Sequence, residues 1–352
     1  MKRTPTSTSH SHHLISCTSI PRERAFDRAL FAIERKSVFG FSESDGTVFE
    51  RFWVDNRWSV LNHGSTHLDE GEENVAVSVH SNRLYVVTST GRLFVRGQHH
   101  DGSALRWELR SPPSPFRLRG HPRSNMRGSL FFIASGGTFL ECRDGIGTNQ
   151  GESWHNHGRP ASACLASIAD PARMDEDSVF VVTGDGRLFQ KSLSRGTWTE
   201  YDRPSDAFAL APVSGLFVRA AAHYSSLFLK TVWGEVVELR WSSPRKWRWR
   251  FYGRPNGTAV ASPPVASCFS NSIFVVGDDG EAYELRDVDT EQWRWIDHGT
   301  PGNIPARRSG PVVFDNRRLF FSREDGYIAE RHFDGKWHWS IHGAVGRGRK
   351  PS

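Results

Sequence analysis

Short apolar runs, each broken by a polar turn that ends in glycine, recur along the chain. Val179-Phe180-Val181-Val182 precedes Gly186, and Leu188-Phe189-Gln190-Lys191 follows it. Leu84-Tyr85-Val86-Val87 and Leu93-Phe94-Val95 flank Gly91 in the same way. Ile273-Phe274-Val275-Val276 and Ala282-Tyr283-Glu284-Leu285 flank Gly280. Runs of β-branched and aromatic residues around such turns predict β-hairpins. Glycine supplies the positive φ that the turns need. No stretch keeps a helical period over a useful length.

The turn glycines are Gly46, Gly91, Gly137, Gly186, Gly234, Gly280 and Gly326, spaced by 45, 46, 49, 48, 46 and 46 residues. Periods of this size mark solenoids, propellers or arrays. A further strand lies upstream of each hairpin, as in Val75-Ala76-Val77-Ser78-Val79 and Pro311-Val312-Val313-Phe314. Another lies downstream and carries tryptophan, as in Trp293-Arg294-Trp295-Ile296 and Trp337-His338-Trp339-Ser340. Four strands per repeat of about 47 residues make a propeller blade. The prediction is an all-β, seven-bladed β-propeller with four antiparallel strands per blade. It spans residues 25–345, between an N-terminal tail at 1–24 and a basic C-terminal tail at 346–352. Blade 1 finds a first strand near Ala29-Leu30-Phe31-Ala32-Ile33, and blade 7 ends near Ile341, so the blades follow chain order.

The fourth strands align on a shared motif. Blade 6 reads Trp293-x-Trp295-x-x-His298-Gly299-x-Pro301, and blade 7 reads Trp337-x-Trp339-x-x-His342-Gly343. Blade 5 reads Trp247-x-Trp249-x-x-Tyr252-Gly253-x-Pro255. Blade 3 keeps Trp154, His157, Gly158 and Pro160; blade 1 keeps Trp58, His63 and Gly64. Blades 2 and 4 keep only Trp107 and Trp198 and lack His-Gly. Aligned this way, the first tryptophan occurs in six blades, as an inter-blade packing residue would. The second occurs in four (Trp154, Trp249, Trp295, Trp339), always beside His-Gly or Tyr-Gly, and here packing and ligand contact both stay open.

This motif resembles the repeat of the Photorhabdus-type seven-bladed propeller lectins, which bind L-fucose and related sugars. The resemblance covers roughly residues 26–345 and implies sugar pockets between adjacent blades. The implied contacts are Trp293, Trp295, His298 and Gly299; Trp337, Trp339, His342 and Gly343; Trp154, His157 and Gly158; Trp58, His63 and Gly64; and Trp249 with Tyr252. The residues argue independently for the same chemistry. Positions two apart in a strand share a face, so each Trp-x-Trp makes an aromatic strip. An indole covers the C–H face of a sugar, while a histidine and a glycine N–H bond its hydroxyls.

The remaining features change this picture less. Glu50, Glu141, Glu238, Glu284 and Glu330 each stand four residues after a turn glycine. Five equivalent carboxylates around a ring do not form a glycosidase pair; bonds from blade to blade are expected. No singleton acid, base or nucleophile cluster stands out, so no enzyme, cofactor or metal is expected. Cys17, Cys142, Cys164 and Cys268 form no CxxC pair and are read as free thiols. A net charge of +6 permits an anionic partner. Arg245, Lys246, Arg248 and Arg250 interleave with Trp247 and Trp249. Such interleaving suits single-stranded nucleic acid, but strand alternation turns Arg248 and Arg250 away from the indoles, which disfavours that partner. No apolar run is long enough to span a membrane. The first 22 residues lack Asp and Glu, a weak transit-peptide-like trait, and leave the compartment open. Three functions therefore compete: binding of glycans or glycoproteins, a scaffold for protein partners, and binding of anionic polymers.

Overall fold

The computed structural model describes residues 32–344, less 35–36, 42–45, 55–56, 81–82, 97–105, 111, 125–128, 144–152, 161–162, 172–176, 213–215, 221–223, 243–245, 267–271, 290–291 and 316. Both predicted tails thus lie outside the described residues, as do Cys17, Cys268 and Arg245.

Seven four-stranded antiparallel sheets follow one another in chain order. Blade 1 comprises β1 (Ala32–Glu34), β2 (Ser37–Phe41), β3 (Thr47–Val54) and β4 (Arg57–Ser65). Blade 2 comprises β5 (Asn74–His80), β6 (Arg83–Thr88), β7 (Leu93–Arg96) and β8 (Trp107–Leu109). Blade 3 comprises β9 (Leu118–Ser124), β10 (Ser129–Ala134), β11 (Thr138–Arg143) and β12 (Ser153–Gly158). Blade 4 comprises β13 (Leu165–Pro171), β14 (Ser178–Thr183), β15 (Leu188–Ser192) and β16 (Trp198–Glu200). Blade 5 comprises β17 (Leu216–Ala220), β18 (Tyr224–Lys230), β19 (Val236–Ser242) and β20 (Lys246–Gly253). Blade 6 comprises β21 (Val265–Ala266), β22 (Ser272–Val276), β23 (Ala282–Asp289) and β24 (Gln292–Asp297). Blade 7 comprises β25 (Val312–Asp315), β26 (Arg318–Ser322), β27 (Tyr327–Phe333) and β28 (Trp337–Ala344).

The first strand of each blade contacts the first strands of both neighbours, and β25 meets β1, so the ring closes without a borrowed strand. The blades pack face to face. Six buried apolar clusters lie between consecutive blades, from blades 1 and 2 round to blades 6 and 7. This explains why the second strands read as unbroken apolar runs. A neighbour covers each face, and β10 and β14 are buried along their whole length. In β10, Phe131 joins the cluster with blade 4, while Phe132 joins the cluster with blade 2. The fourth strands lie at the rim and alternate between exposed and half-buried positions, as in β20 and β24.

The recurring glycine joins the middle strands, and in blades 2 to 6 its carbonyl ties the blade to the next. All seven turn glycines have positive φ. The Gly280 carbonyl accepts the Ala306 N–H at 2.8 Å, across the junction of blades 6 and 7. Gly91, Gly137, Gly186 and Gly234 accept the same bond from Leu118, Leu165, Leu210 and Val260. A Cβ on Gly280 would lie 2.4 Å from Pro305 Cβ. Glycine therefore meets two demands here, a left-handed backbone and close approach by the next blade.

Candidate functional site

In blades 1, 3, 5, 6 and 7 the glutamate four places after the turn glycine gathers side chains from neighbouring strands of its own blade. In blade 6, buried Glu284 accepts from His298 Nε2 at 2.9 Å, from Arg286 at 2.7 Å and from the Ser272 hydroxyl. In blade 3, Glu141 accepts from His157 Nε2 at 2.8 Å, Ser129 at 2.6 Å and Arg143 at 3.0 Å. Blade 1 joins Glu50 to His63 at 3.0 Å and to Ser37, and blade 7 joins Glu330 to His342 at 2.7 Å. Blade 5 replaces the histidine with Tyr252, whose hydroxyl donates to Glu238 beside Ser226. These bonds run within each blade, not from blade to blade as the repeat alone suggests. A carboxylate only accepts, so each histidine presents Nε2–H to its glutamate.

Burial raises the pKa of Glu141, but hydrogen bonds from His157, Arg143 and Ser129 outweigh it and bring the carboxyl down to about 2. Glu284 likewise reaches about 2: burial opposes the shift, and bonds from His298, Arg286 and Ser272 produce it. Burial, helped by the Glu238 charge, pushes the Tyr252 phenol above its ordinary value. Serine and histidine both bond the glutamate, so the order is Ser–Glu–His. A nucleophilic triad needs the serine on the histidine. Among the described residues, no group of three or more His, Cys, Asp or Glu could hold a metal.

The fourth-strand tryptophans reach back to the preceding blade. Trp293 packs on Phe228 and Tyr252 of blade 5, with ring centroids 5.5 and 5.4 Å apart, and Trp295 Nε1 donates to the Tyr252 carbonyl at 3.0 Å. Trp337 stands edge-on to His298 of blade 6 at 5.3 Å, and Trp339 Nε1 donates to the His298 carbonyl at 3.0 Å. Trp249 Nε1 donates to the Asp202 carbonyl of blade 4 at 2.8 Å. Trp107 makes this bond too, to the His63 carbonyl of blade 1 at 3.0 Å.

Strand register corrects the motif alignment. Trp295 pairs with Leu285, five residues after its turn glycine. Trp107 pairs with Arg96 and Trp198 with Lys191, the same position in blades 2 and 4. Both therefore belong to the second tryptophan column. That column is filled in six blades, with Val60 in blade 1, and the first column holds only Trp58, Trp247, Trp293 and Trp337. In four of the six blades, the tryptophan of this widespread column links to the preceding blade through its indole N–H.

The glycine N–H of three His-Gly pairs is taken up in a local turn as well. Gly64, Gly158 and Gly299 have positive φ, and their N–H groups donate to Asn62, Asn156 and Asp297 at 2.7, 2.8 and 2.7 Å. His298 is 8% exposed. The structure divides the predicted set between two junctions: Trp293 and Trp295 pack with Tyr252 between blades 5 and 6, while His298 joins Trp337 and Trp339 between blades 6 and 7, as His157 joins Trp198 between blades 3 and 4. Trp154 packs on Phe132 towards blade 2, and Trp58 and Gly343 lie on β4 and β28. The polar atoms available for a sugar at His298, Gly299, Trp295 and Trp339 already have partners inside the protein. The thiol reading also needs correction at one position. Cys142 is free and buried, but Cys164 is disulfide-bonded.

No family model and no curated protein matches the sequence. Solved structures do match, at low identity. YCF48 bound to D1 peptide is 14% identical, with 84% of this chain and 88% of that chain covered and a TM-score of 0.59. A chain of the mitotic checkpoint complex is 13% identical, with 95% and 99% covered and a TM-score of 0.61. Sqt1 from Saccharomyces cerevisiae is 14% identical, with 90% and 86% covered and a TM-score of 0.59. The chain is a seven-bladed β-propeller. Similarity at this level carries the fold alone, and no family model or curated protein supports the lectin family.

One propeller feature escaped the motif reading. Six of the glycine turns present small, polar or charged residues ahead of the glycine, such as Gly277-Asp278-Asp279 and Arg323-Glu324-Asp325. Blade 5 instead reads Thr231-Val232-Trp233-Gly234, with Val232 52% and Trp233 45% exposed. Every other tryptophan whose burial is described is half-buried. Comparing the turn tips, instead of only their glycines, would have found it. In β20, Arg248 pairs with Arg240 and Trp247 with Trp241, so basic and aromatic side chains do take opposite faces as alternation requires. No helix among the described residues is long and apolar enough to cross a membrane.

Proposed function

We propose that this propeller is a non-catalytic scaffold that binds protein partners. One observation carries the reading: the repeated motif is engaged in holding blades together, while the exposed Val232-Trp233 tip of blade 5 departs from the repeat. A residue shared by most blades serves the ring. The exposed Val232-Trp233 tip has no such duty, and tryptophan is enriched among the residues that anchor interfaces. The sugar reading requires imidazole, indole and glycine donors that are free to meet a ligand. At blades 5 to 7, Trp295, His298, Gly299 and Trp339 already donate to the Tyr252 carbonyl, Glu284, Asp297 and the His298 carbonyl, and the Trp337 indole N–H, which has no partner, is buried. Two similar propellers, YCF48 bound to D1 peptide and a chain of the mitotic checkpoint complex, support the reading by likeness of fold only.

The test has two arms on the full chain. Proteins captured by cross-linking are purified and titrated back by calorimetry, and the chain is screened in parallel on a broad glycan array. The expected result is a saturable complex with a purified protein, near 1 μM or about −8 kcal/mol, and no glycan signal. Binding of a fucosylated glycan that is abolished by Trp295→Ala in folded protein would overturn the scaffold reading.

A further inference from the structure

Resting on the scaffold reading, we infer that the turn of blade 5 is the docking point for a peptide segment that carries an apolar side chain beside Lys or Arg. The turn is held rigidly. The Val232 N–H donates to the Ala209 carbonyl at 3.1 Å, and the Gly234 carbonyl accepts from Val260 at 2.8 Å. The turn is thus clamped between the segments leading into blades 5 and 6. A rigid tip that exposes an indole presents apolar area at little entropic cost. Tryptophan is among the residues that most often dominate binding energy at interfaces.

The charge around the tip selects the partner. The loop tips of blades 4 to 7 (184–187, 201–209, 231–235, 254–260, 277–281, 298–310 and 323–327) carry nine carboxylates and six arginines. The chain as a whole has a formal charge of +6. This sector is therefore acidic on a basic protein. Asp206, Asp278, Asp279, Glu324 and Asp325 are all exposed. Three of the arginines are paired inside the sector: Arg187 with Asp185 at 2.8 Å, buried Arg323 with Asp325 at 2.6 Å, and Arg308 with Asp278 at 3.6 Å. A basic segment is favoured here and an acidic one is repelled.

The probe is a phage-displayed library of random 12-mers selected against the full chain, followed by titration of the synthetic winners by fluorescence polarisation. Selected peptides are expected to share an apolar residue next to Lys or Arg. Their affinity should fall at least tenfold for Trp233→Ser at an unchanged melting midpoint, and should recover with Trp233→Phe. If Trp233→Ser fails to fold, Val232→Ser is the substitute and should weaken binding in the same direction. Asp206→Asn with Asp278→Asn should weaken binding in low salt and flatten its salt dependence, as screening predicts. Peptides that bind the Trp233 and Val232 variants normally would overturn the site but leave the scaffold reading standing. Winners that are acidic or uncharged would overturn the stated chemistry. An empty selection would overturn this inference, while the titration with purified proteins judges the scaffold reading separately.

Discussion

Blades 6 and 4 place different chemistry in one slot. In blade 6 the slot holds Glu284, a charged acceptor that takes bonds from Ser272, His298 and Arg286. In blade 4 it holds Gln190, which donates to Ser178 at 2.5 Å and accepts from Tyr201 at 2.5 Å. The arginine position becomes Ser192, which bonds Asp177 at 2.7 Å instead. Blade 2 removes the network and fills the slot with buried Val95. The set changes together because a buried donor or acceptor left without a partner costs more than the bond itself contributes. A carboxylate accepts from three partners; an amide must both give and receive. The histidine of His-Gly is one of several ways to complete the slot, which makes it a packing residue before it is anything else.

The comparison can be broken most strongly at Glu284. Glu284→Ala leaves His298, Ser272 and Arg286 facing a void. It should cost about 3–5 kcal/mol in urea unfolding, as breaking a buried charged network does. The same site can be read by pH. Its carboxyl titrates at about 2 when folded, against an ordinary 4.5. Its stabilisation is therefore complete above about pH 4.5 and is lost as pH falls towards 2. The stability of Glu284→Gln should fall less steeply across that window than wild type, while Gln190→Ala should leave the acid slope unchanged.

The turn joints should show no such difference between the two blades. A Cβ on Gly186 would sit 2.8 Å from Ala209 Cβ, and one on Gly280 would sit 2.4 Å from Pro305 Cβ. Gly186→Ala and Gly280→Ala should each cost roughly 3 kcal/mol, combining a left-handed alanine with overpacking. Gly326→Ala has open space, with no described atom within 4 Å of the added carbon. Its cost should be only the backbone term, about 1–2 kcal/mol, measured in the same urea series.

The smallest effect should come from converting blade 4 towards blade 5. Gln190→Glu would meet Ser178 and Tyr201, the same pair of donors that Glu238 meets in Ser226 and Tyr252. With every donor reoriented to the carboxylate, the change should stay below about 1 kcal/mol. A loss above about 3 kcal/mol would show that the slot accepts a charge only with an arginine or histidine beside it.

Much of this was legible in the chain because it is local. The period of the turn glycines, the apolar runs beside them and the alternation of each Trp-x-Trp depend on a few consecutive residues. They led directly to seven blades of four strands. The position of Trp107 and Trp198 could not be read that way. Ten residues separate β7 from β8, against two between β23 and β24, so only cross-strand pairing sets the register. The glutamate column was visible, but whether its bonds ran within or between blades depended on which strands lie side by side. The tryptophan strips were visible, but their partners were not, because the face they cover belongs to residues some 40 positions earlier, as Tyr252 is to Trp295. The repeat thus determined the architecture. The closed ring decided which of its donors and acceptors remained for a partner, since burial and hydrogen bonding are settled by neighbours in space.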